Sequence, residues 1–289
     1  MNSKKQTILI AGHTGFIGSS LSEQLYLNGF NNIIPMSKSS GFDLARLSGY
    51  GTTNCDIVVN LSGLVGIDLS WKEPERFYKE NFLTTLNLLE IARKNTASFI
   101  HVSSYVYGEP EYQPIDENHK VKGYNPYASS KILSEQLCID YANYYNLPIT
   151  ILRPFNLYGN NQSNHYLIAQ LVEAAINKSS IEIYDYDAKR DYLWVGDLVD
   201  GIIKVIKSKK NSLDIYNIGS GKSYSAREIV SIISDQISGF ENYVVNSGKK
   251  ILIQDCICDN TLFSRDFKWQ PKISIKDGIA KIIKQVKLD

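Results

Sequence analysis

The chain has 289 residues, 43% of them hydrophobic and 21% charged, a composition ordinary for a globular protein with enough length to bury a substantial core. Its formal net charge of +1 at pH 7 gives no overall basic field, so neither nucleic acid nor an anionic membrane is the expected partner. No signal peptide precedes the first strand pattern, and no apolar run approaches the roughly 20 residues that span a bilayer, so we expect a cytoplasmic location.

A glycine-rich turn joins the first predicted strand to the first predicted helix. Residues 7–11 form an apolar run typical of a buried strand, and the following segment carries Leu21 and Leu25 at helical spacing. Glycines at such a junction permit a tight turn and close approach of the backbone to a pyrophosphate at the amino end of the helix. The pattern predicts a dinucleotide-binding turn, the alternative being an ordinary strand–helix connection. Its predicted cofactor residues are Gly12, Thr14, Gly15, Phe16, Ile17 and Gly18.

The segment after the second predicted strand bears on the choice of dinucleotide. Residues 32–36 are predicted as that strand, and Ser37 and Lys38 follow it. A cofactor without a 2′-phosphate usually meets an Asp or Glu at this point, and residues 37–40 contain neither. Ser37 and Lys38 would suit a 2′-phosphate, which favours NADP over NAD; a solvated polar loop is the alternative.

Strands and helices continue to alternate through the first half of the chain. Residues 56–63, 99–104 and 149–153 are predicted strands, and a long helix is predicted over residues 74–94. Asn81 falls on the apolar stripe of that helix, so it needs a buried hydrogen-bond partner. About twenty residues separate the second and third strands, so the unit between them must be abbreviated.

This alternation predicts an α/β protein with a doubly wound parallel sheet of the Rossmann type and a smaller, mostly helical substrate-binding cap. We assign residues 1–155 and 188–219 to the dinucleotide-binding domain and residues 156–187 and 220–289 to the cap. Ligands in such sheets lie beyond the carboxyl ends of the strands. Residues from five segments are predicted to converge there: Gly12, Ser62, Ser103, Tyr127 and Asn156.

Tyr127 and Lys131 are the predicted centre of the chemistry. Asn125 suits a helix cap and Pro126 the first helical position, so the tyrosine and the lysine share one helix face. A lysine cation near a phenol favours the phenolate and lowers its pKa. Such a tyrosine can pass a proton to or from a carbonyl or an alcohol near neutral pH. The spacing by itself is weak, and the neighbouring motifs strengthen it.

Six motifs occur in order along nearly the whole chain: Gly12-x-x-Gly15-x-x-Gly18, Asp43-Leu44, the Ser-Ser-Tyr-Val-Tyr-Gly segment 103–108, Tyr127-x-x-x-Lys131, the Arg-Pro-Phe-Asn-Leu-Tyr-Gly segment 153–159, and Arg190-Asp191. With them the chain resembles the extended short-chain dehydrogenase/reductase superfamily, in its NAD(P)-dependent nucleotide-sugar epimerase/dehydratase family. The resemblance implies that Tyr127 is the proton donor or acceptor, that Lys131 holds the nicotinamide ribose, and that Ser103 hydrogen-bonds the reacting oxygen.

The resemblance also implies the remaining site residues. Further cofactor contacts are expected, beside Tyr127 and Lys131, from Asp43, Leu44, Leu61, Ser62, Gly63, Asn81 and Pro154. Substrate contacts are expected from Ser103, Ser104, Tyr105, Asn156, His165 and Arg190. Asn156 and Arg190 match residues that grip the diphosphate of a nucleotide-sugar, which a guanidinium suits. His165 would be a second acid or a substrate contact, or would simply line a pocket or lie on the surface.

Departures from the family pattern narrow the activity. The 4,6-dehydratases carry an Asp-Glu pair after the catalytic residue, and this chain has Ser104 and Tyr105 there, so dehydration is not expected. Thr14 stands where GDP-fucose synthases have an arginine that reads the 2′-phosphate, which weakens the NADP prediction. Asn60 stands where many relatives have a histidine, a difference that the sequence does not interpret.

The carboxyl-terminal part is less regular. His165 is predicted to open a helix, residues 189–195 to return to the sheet, and residues 275–286 to form the final helix, with Trp269 packed in the core before it. The four cysteines lack metal-ligand spacing, so no metal site is expected and buried, reduced thiols are predicted. They are Cys55, Cys138, Cys256 and Cys258.

The sequence leaves three functions open. The first is reduction of a 4-keto-6-deoxy nucleotide-sugar by NADPH, with the nucleotide-diphosphate sugar as partner. The second is 4-epimerisation of a nucleotide-sugar with tightly bound NAD, and the third is a non-catalytic dinucleotide-binding regulator. By resemblance to relatives that pair two long helices per subunit, a homodimer is expected.

Overall fold

A computed structural model describes residues 5–46, 53–208, 212–246, 248 and 253–287. The chain divides into two compact units. The first comprises Met1–Gly108, Lys120–Pro154 and Val199–Tyr216, and the second comprises Glu109–His119, Phe155–Leu198 and Asn217–Asp289. These bounds place residues 188–198 in the second unit, whereas the sequence assigned them to the dinucleotide-binding domain; the roles given to the two domains stay predictions.

The strands of the described residues are, in chain order, β1 (Ile8–Ala11), β2 (Ile33–Met36), β3 (Ile57–Asn60), β4 (Ser98–Val102), β5 (Ile149–Pro154), β6 (Asn156–Tyr158), β7 (Ile181–Ile183), β8 (Lys189–Trp194), β9 (Leu213–Ile218), β10 (Ser223–Ser225) and β11 (Val244–Asn246). The α-helices are α1 (Phe16–Leu27), α2 (Ile67–Lys72), α3 (Pro74–Asn95), α4 (Pro126–Tyr145), α5 (Leu167–Asn177), α6 (Val195–Lys207), α7 (Ala226–Ser234), α8 (Thr261–Phe267) and α9 (Ile275–Val286).

A parallel sheet organises the first unit. Its order within the described residues is β2-β1-β3-β4-β5-β9, and β1 pairs in parallel with both β2 and β3. All four residues of β1 and of β3 are buried, as expected of strands covered by helices on both faces. Pro35 lies on the edge strand β2, where its missing N–H interrupts no ladder. The predicted α/β, Rossmann-like fold is confirmed.

The short connection from β2 to β3 determines the strand order. Its described residues, 37–46 and 53–56, contain a 3-10 turn over Lys38–Ser40 and no strand. With no further strand beyond β2 among the described residues, the order follows the 2-1-3-4-5 type of doubly wound sheet, whose ligand crevice opens where β1 meets β3. The abbreviated unit predicted between these strands includes residues 47–52, which lie outside the described residues.

Local signals fix the helices that carry the predicted site. The Asn125 side chain accepts a hydrogen bond from the N–H of Ala128 at 2.7 Å, and Pro126 follows at the first helical position of α4. Pro74 likewise opens α3, which ends at Thr96 in the left-handed conformation. Cap residues satisfy otherwise unpaired amides of the first turn, so the helix starts predicted here are confirmed.

The second unit contains helices and two small sheets. Strand β8 lies between β10 and β6 in a three-stranded sheet, and β11 pairs in parallel with β7. The prediction that residues 189–195 return to the large sheet is therefore wrong. The physical reason is visible in β8, where buried Asp191 and Leu193 alternate with half-buried Arg190, Tyr192 and Trp194, unlike the continuous burial of the parallel strands.

Two details of this unit concern the sequence predictions. Helix α5 begins at Leu167, and His165 lies in the turn before it, exposed. Trp269 is buried, and its indole nitrogen donates to the carbonyl oxygen of Asp197 at 3.0 Å, so its predicted core role is confirmed.

The cysteines and the helices concern two sequence predictions, that the chain has no metal site and no membrane-spanning segment. All four cysteines are free and buried. Within the described residues no group of three or more His, Cys, Asp or Glu side chains is arranged to hold a metal ion. In the same part of the chain, no helix combines the length and the apolar character needed to cross a membrane.

Candidate active site

The glycine turn brings the backbone after β1 against the backbone after β3. Gly12 has φ +83°, and a Cβ there would lie 3.0 Å from the carbonyl of Leu61 and from the N–H nitrogen of Ser62. A Cβ on Gly18 would collide with the Gly12 carbonyl oxygen. Only glycine fits these two positions. The turn and the loop after β3 are therefore held together by backbone contact.

Gly15 is different, because its side of the turn is open. A Cβ there would meet only the Gly12 carbonyl oxygen, at 3.3 Å. Gly15 caps α1 without any side-chain hydrogen bond to the first turn, so the amides at this helix end are available to a ligand. An uncapped helix amino end beside an open glycine face fits a dinucleotide pyrophosphate. Phe16, Ile17 and Gly18, the other residues predicted here, form the first turn of α1.

The loop after β2, residues 37–40, contains a network of hydrogen-bonded serine hydroxyls and one ion pair. Ser37 caps the 3-10 turn and accepts the Ser40 N–H at 3.3 Å. Thr14, in the glycine turn, lies 3.0 Å from the Ser39 hydroxyl. The Lys38 ammonium lies 2.6 Å from a carboxylate oxygen of Glu80 on α3. Lys38, predicted to suit a 2′-phosphate, thus already has an anionic partner.

Asp43 and Leu44 follow this loop. The Asp43 side chain is 43% exposed and accepts the Ala45 N–H at 3.2 Å. Leu44 is buried, and its carbonyl accepts a hydrogen bond from Asn87 of α3 at 2.8 Å. An exposed carboxylate on a buried anchor is compatible with the predicted adenine contact, which stays a prediction.

Asn81 holds the loop that follows β3. Its amide oxygen accepts the Leu64 N–H at 2.6 Å, and its amide nitrogen donates to the Leu64 carbonyl at 3.2 Å and to Ser130 Oγ on α4 at 2.9 Å. Asn81 thus has the buried partners that its place on the apolar stripe requires. A Cβ on Gly63 would lie 2.9 Å from Asn81 Oδ1 and 3.6 Å from Lys131 Nζ, so the loop passes close to the Lys131 ammonium.

Asn60, which the sequence left uninterpreted, orders the same loop from the other side. Its side-chain oxygen Oδ1 accepts the Ser62 N–H at 3.1 Å, and its side-chain nitrogen lies 3.2 Å from Nδ1 of His101 and 3.3 Å from Thr85 Oγ1. Burial, and then the charge of Lys131, lower the pKa of His101 well below its usual value. His101 is therefore neutral near pH 7. Sequence reasoning missed both roles, since an Asn and a His forty-one residues apart carry no local signal.

Lys131 is buried at the centre of this arrangement. It is 5% exposed, and its ammonium donates to the carbonyl of Val102, the last residue of β4, at 3.1 Å. Burial lowers its pKa to about 8, against the opposing effect of the Glu135 carboxylate. The Tyr127 ring, one turn earlier on α4, packs edge-on against Phe77 of α3 with centroids 6.2 Å apart.

Ser103 directly follows the carbonyl that Lys131 binds. Its N–H donates to Leu152 of β5 at 2.8 Å, while its buried hydroxyl has no hydrogen-bond partner among the described residues. Ser104 is half-buried. Tyr105 is buried, and its hydroxyl donates to the Gly108 carbonyl at 2.6 Å. Of these three predicted substrate residues, Ser103 therefore has the hydroxyl that is buried and still lacks an acceptor.

A buried ion pair that the sequence did not predict lies behind the site. The Arg153 guanidinium of β5 donates to both carboxylate oxygens of Glu135, at 2.6–3.1 Å, and to the Tyr107 hydroxyl at 2.9 Å. Burial lowers the pKa of Arg153, but the Glu135 carboxylate outweighs it and the net direction is up. The pair joins α4 to the strand ending at Pro154, so the first residue of the Arg-Pro-Phe-Asn-Leu-Tyr-Gly segment has a structural role.

The predicted diphosphate residues lie on neighbouring strands of the second unit. Asn156 of β6 is paired with Tyr192 of β8, and Arg190 precedes Tyr192 by two residues, so all three point to one face of that sheet. The Arg190 guanidinium donates to the Lys189 carbonyl at 2.7 Å and has no carboxylate partner among the described residues. A half-buried, unpaired guanidinium suits an anion.

Asp191, on the opposite face of β8, has a structural role. It is fully buried and accepts hydrogen bonds from Ser220, Gly221 and Cys258. Burial raises its pKa, against the lowering effect of these donors. His165 is exposed, and its role stays a prediction.

The family model described as the NAD-dependent epimerase/dehydratase family matches residues 8–219. The chain is 29% identical to a UDP-glucose 4-epimerase of Pisum sativum, over 89% of this chain and 85% of the relative. It is 27% identical to a GDP-6-deoxy-D-mannose reductase of Pseudomonas aeruginosa, over 96% of both chains. Among solved structures, RMD from Pseudomonas aeruginosa complexed with NADPH superposes with a TM-score of 0.86 at 25% identity, over 97% of this chain and 98% of that one.

Proposed function

We propose, from the premise that the chain belongs to the NAD-dependent epimerase/dehydratase family, that it catalyses hydride transfer at C4 of a nucleotide-diphosphate sugar. It is an enzyme of a family of nucleotide-sugar epimerases and reductases, and its cofactor is a nicotinamide dinucleotide. The sugar position, the direction of transfer and the residue roles are the proposed part.

The buried, unpartnered hydroxyl of Ser103 is the observation that carries the proposal. A buried hydroxyl without a partner is unfavourable by about 1–3 kcal/mol, and it persists here one residue from the carbonyl that holds the Lys131 ammonium. An oxygen atom of a substrate at this point would complete the hydrogen bonding of Ser103. Unsatisfied polar atoms at a strand's carboxyl end are expected where a ligand binds.

The chain's own residues would act on a sugar oxygen. A bound nicotinamide dinucleotide would supply or accept the hydride. Tyr127 would give a proton to the oxygen of a carbonyl, or take one from an alcohol. Ser103 would hydrogen-bond that same oxygen, and the Lys131 cation would favour the phenolate form of Tyr127. Asn156 and Arg190 would bind the diphosphate.

Reduction of a 4-keto-6-deoxy sugar is one outcome of this chemistry. It needs no acid or base beyond Tyr127 and Ser103, and the neighbouring positions offer none. Ser104 and Tyr105 stand where the dehydratases carry an acidic pair, and the Tyr105 hydroxyl is engaged by the Gly108 carbonyl. The similarity to a GDP-6-deoxy-D-mannose reductase supports this outcome. If the reductant is NADPH, the predicted contact to its 2′-phosphate depends on Lys38.

Epimerisation at C4, through oxidation and re-reduction by a retained NAD, is the second outcome. The pairing of Lys38 with Glu80 supports it, because it removes the charge on which the preference for NADPH rested. The similarity to UDP-glucose 4-epimerases supports it as well. A regulator that only binds the dinucleotide is not favoured, since the relatives are enzymes.

Product analysis separates the two outcomes. Purified protein is incubated with UDP-, GDP-, CDP- and dTDP-hexoses and with their 4-keto-6-deoxy forms, each with and without added NADH or NADPH. A reductase consumes added reduced dinucleotide in proportion to product. An epimerase converts a hexose to its C4 epimer with none added. Failure of every sugar to react under both conditions would refute the proposal. The homodimer and the cytoplasmic location predicted from the sequence also remain proposals.

A further inference from the structure

Glu80, on α3, places a carboxylate beside the segment that follows β2. Residues 37–40 of that segment contain no acidic residue. In dinucleotide-binding folds, an acid about twenty residues beyond the glycine turn hydrogen-bonds the free ribose hydroxyls, whereas a cation there accommodates a 2′-phosphate. Ser37 occupies the first position after β2 and Lys38 the second. Glu80 approaches this point from a helix that begins thirty-seven residues later than Ser37, at Pro74.

Ser37 is committed to the fold of its own loop. Its hydroxyl accepts the Ser40 N–H at 3.3 Å and lies 2.9 Å from the Ser39 hydroxyl and 3.0 Å from that of Ser40. The Ser40 hydroxyl in turn receives the Ser37 N–H at 3.0 Å. These bonds close a capping box. Ser37 therefore builds the turn and cannot replace an acid as a charged ribose acceptor.

Glu80 neutralises Lys38 and is itself held in place. One of its oxygens lies 2.6 Å from Lys38 Nζ, and the other accepts a hydrogen bond from Arg76 Nε at 3.0 Å. Arg76 also lies 2.6 Å from Glu73, so two cations and two anions alternate in a line with no net charge. Burial acts to raise the pKa of Glu80, and the two cations lower it with a net downward direction. Glu80 is thus ionised at neutral pH.

We propose that Glu80 is a specificity-determining residue that favours NAD over NADP. A 2′-phosphate near Lys38 would meet the negative charge of Glu80 and would have to separate the pair, whereas free ribose hydroxyls can donate to a carboxylate. The ion pair is partly exposed and therefore weak, so the energy needed to separate it is small. The negative charge that Glu80 keeps near the ribose decides the preference. The inference rests on the proposed dinucleotide site, and it favours the outcome with retained NAD.

Competition dialysis tests this inference without any sugar substrate. Protein stripped of bound nucleotide is equilibrated with equal concentrations of NAD and NADP, and the retained dinucleotides are quantified after acid release. The wild type is expected to retain mostly NAD. Glu80→Gln is expected to raise the retained NADP-to-NAD ratio about tenfold, which corresponds to about 1.4 kcal/mol. Adding Lys38→Ala to Glu80→Gln should remove part of that gain, because the released lysine supplies part of it and the lost negative charge of Glu80 supplies the rest.

A matched control is available on the same helix. Glu90 of α3 is a partly exposed carboxylate that pairs with Arg93 at 2.9 Å, so Glu90→Gln removes the same charge and should leave the ratio unchanged. Glu80→Ala, checked by thermal unfolding, repeats the test with a second side chain. A wild type that retains mainly NADP, or an unchanged ratio in both Glu80 variants, would overturn the inference while leaving the dinucleotide site intact. Retention of neither dinucleotide would overturn the proposed function itself.

Discussion

Ser103 combines a buried position with a hydroxyl that the protein does not use. We expect Ser103→Ala to lower kcat by about 10²–10³-fold, since removing one positioned donor to a reacting oxygen has effects of that size. The dissociation constant of the dinucleotide should stay within about twofold. Because the hydroxyl has no partner to lose, the free energy of unfolding should be unchanged or higher.

The control for this variant is a buried serine outside the site. Ser70 donates to the Ile67 carbonyl at 2.6 Å within α2, so Ser70→Ala should retain activity and lose some stability. Full activity in Ser103→Ala would remove Ser103 from the reaction.

The buried ammonium of Lys131 destabilises the fold at neutral pH. Its folded-state pKa is about 8, below the unfolded value of about 10.4. Between these values the unfolded chain binds more protons, so this residue's contribution makes stability rise with pH, and its full cost applies below pH 8. Without dinucleotide, Lys131→Met should therefore have a higher free energy of unfolding than wild type at pH 7, by up to about 3 kcal/mol, while being inactive.

The pH dependence distinguishes this effect from a general gain in packing. The stability difference between Lys131→Met and wild type should shrink as pH rises from about 8 towards 10, as followed by thermal or denaturant unfolding. The exposed Lys79 on α3 supplies the control, since Lys79→Met should change stability little at any pH. A Lys131→Met protein less stable than wild type at pH 7 would contradict this account of the buried ammonium.

Residues with roles distant in sequence were the ones that could not be predicted. Tyr127, Lys131 and the glycines carry local patterns, and their placement follows from helix and turn geometry. Asn60 contacts His101 only because β3 and β4 are adjacent. The same holds for Lys38. Its charge can be read from the sequence, but its pairing with Glu80, forty-two residues away, cannot.

At the scale of elements, the turn between β1 and α1 makes a direct prediction. Gly15→Ala adds a methyl group that meets only the Gly12 carbonyl oxygen inside the protein, at 3.3 Å, on the side left for a pyrophosphate. Dinucleotide affinity should fall by tenfold or more, about 1.4 kcal/mol, with little change in unfolding temperature. Gly18→Ala should lower both the dinucleotide affinity and the unfolding temperature, because its methyl group would collide with the backbone of Gly12. Calorimetric titration and thermal unfolding check the pair, and unchanged affinity in Gly15→Ala would place the cofactor elsewhere.

The buried pair of Arg153 and Glu135 joins β5 to α4 behind the site. Arg153→Met leaves the Glu135 carboxylate buried without its partner, so the expected loss of stability is about 3–5 kcal/mol. The double variant Arg153→Met, Glu135→Leu should recover most of that loss, because a buried ion pair can be replaced by apolar groups at small cost. Denaturant unfolding measures both, and a double variant as unstable as the single one would show that the pair itself stabilises the junction.

At the scale of the whole molecule, the predictable and unpredictable parts follow from the kind of burial. The parallel strands β1, β3, β4 and β5 of the first unit are mostly apolar and almost entirely buried, and their alternation with helices has one favoured solution. Strand β8 carries Arg190 and Asp191 on opposite faces of a small mixed sheet, a pattern that fits several partners equally well. The family assignment from six motifs was confirmed, whereas the direction of hydride transfer depends on contacts to substrate and cofactor that short motifs do not encode.

Single-turnover absorbance of the nicotinamide ring tests the central claim most directly. Wild type and Tyr127→Phe, each saturated with dinucleotide, are mixed with the nucleotide-sugar that the product analysis identifies, and the interconversion of oxidised and reduced nicotinamide is followed. Removing the phenol hydroxyl should slow hydride transfer by at least about 10³-fold, within the range for a positioned acid–base, with dinucleotide affinity unchanged. Equal rates in Tyr127→Phe and wild type would contradict the assignment of Tyr127 as the proton donor or acceptor.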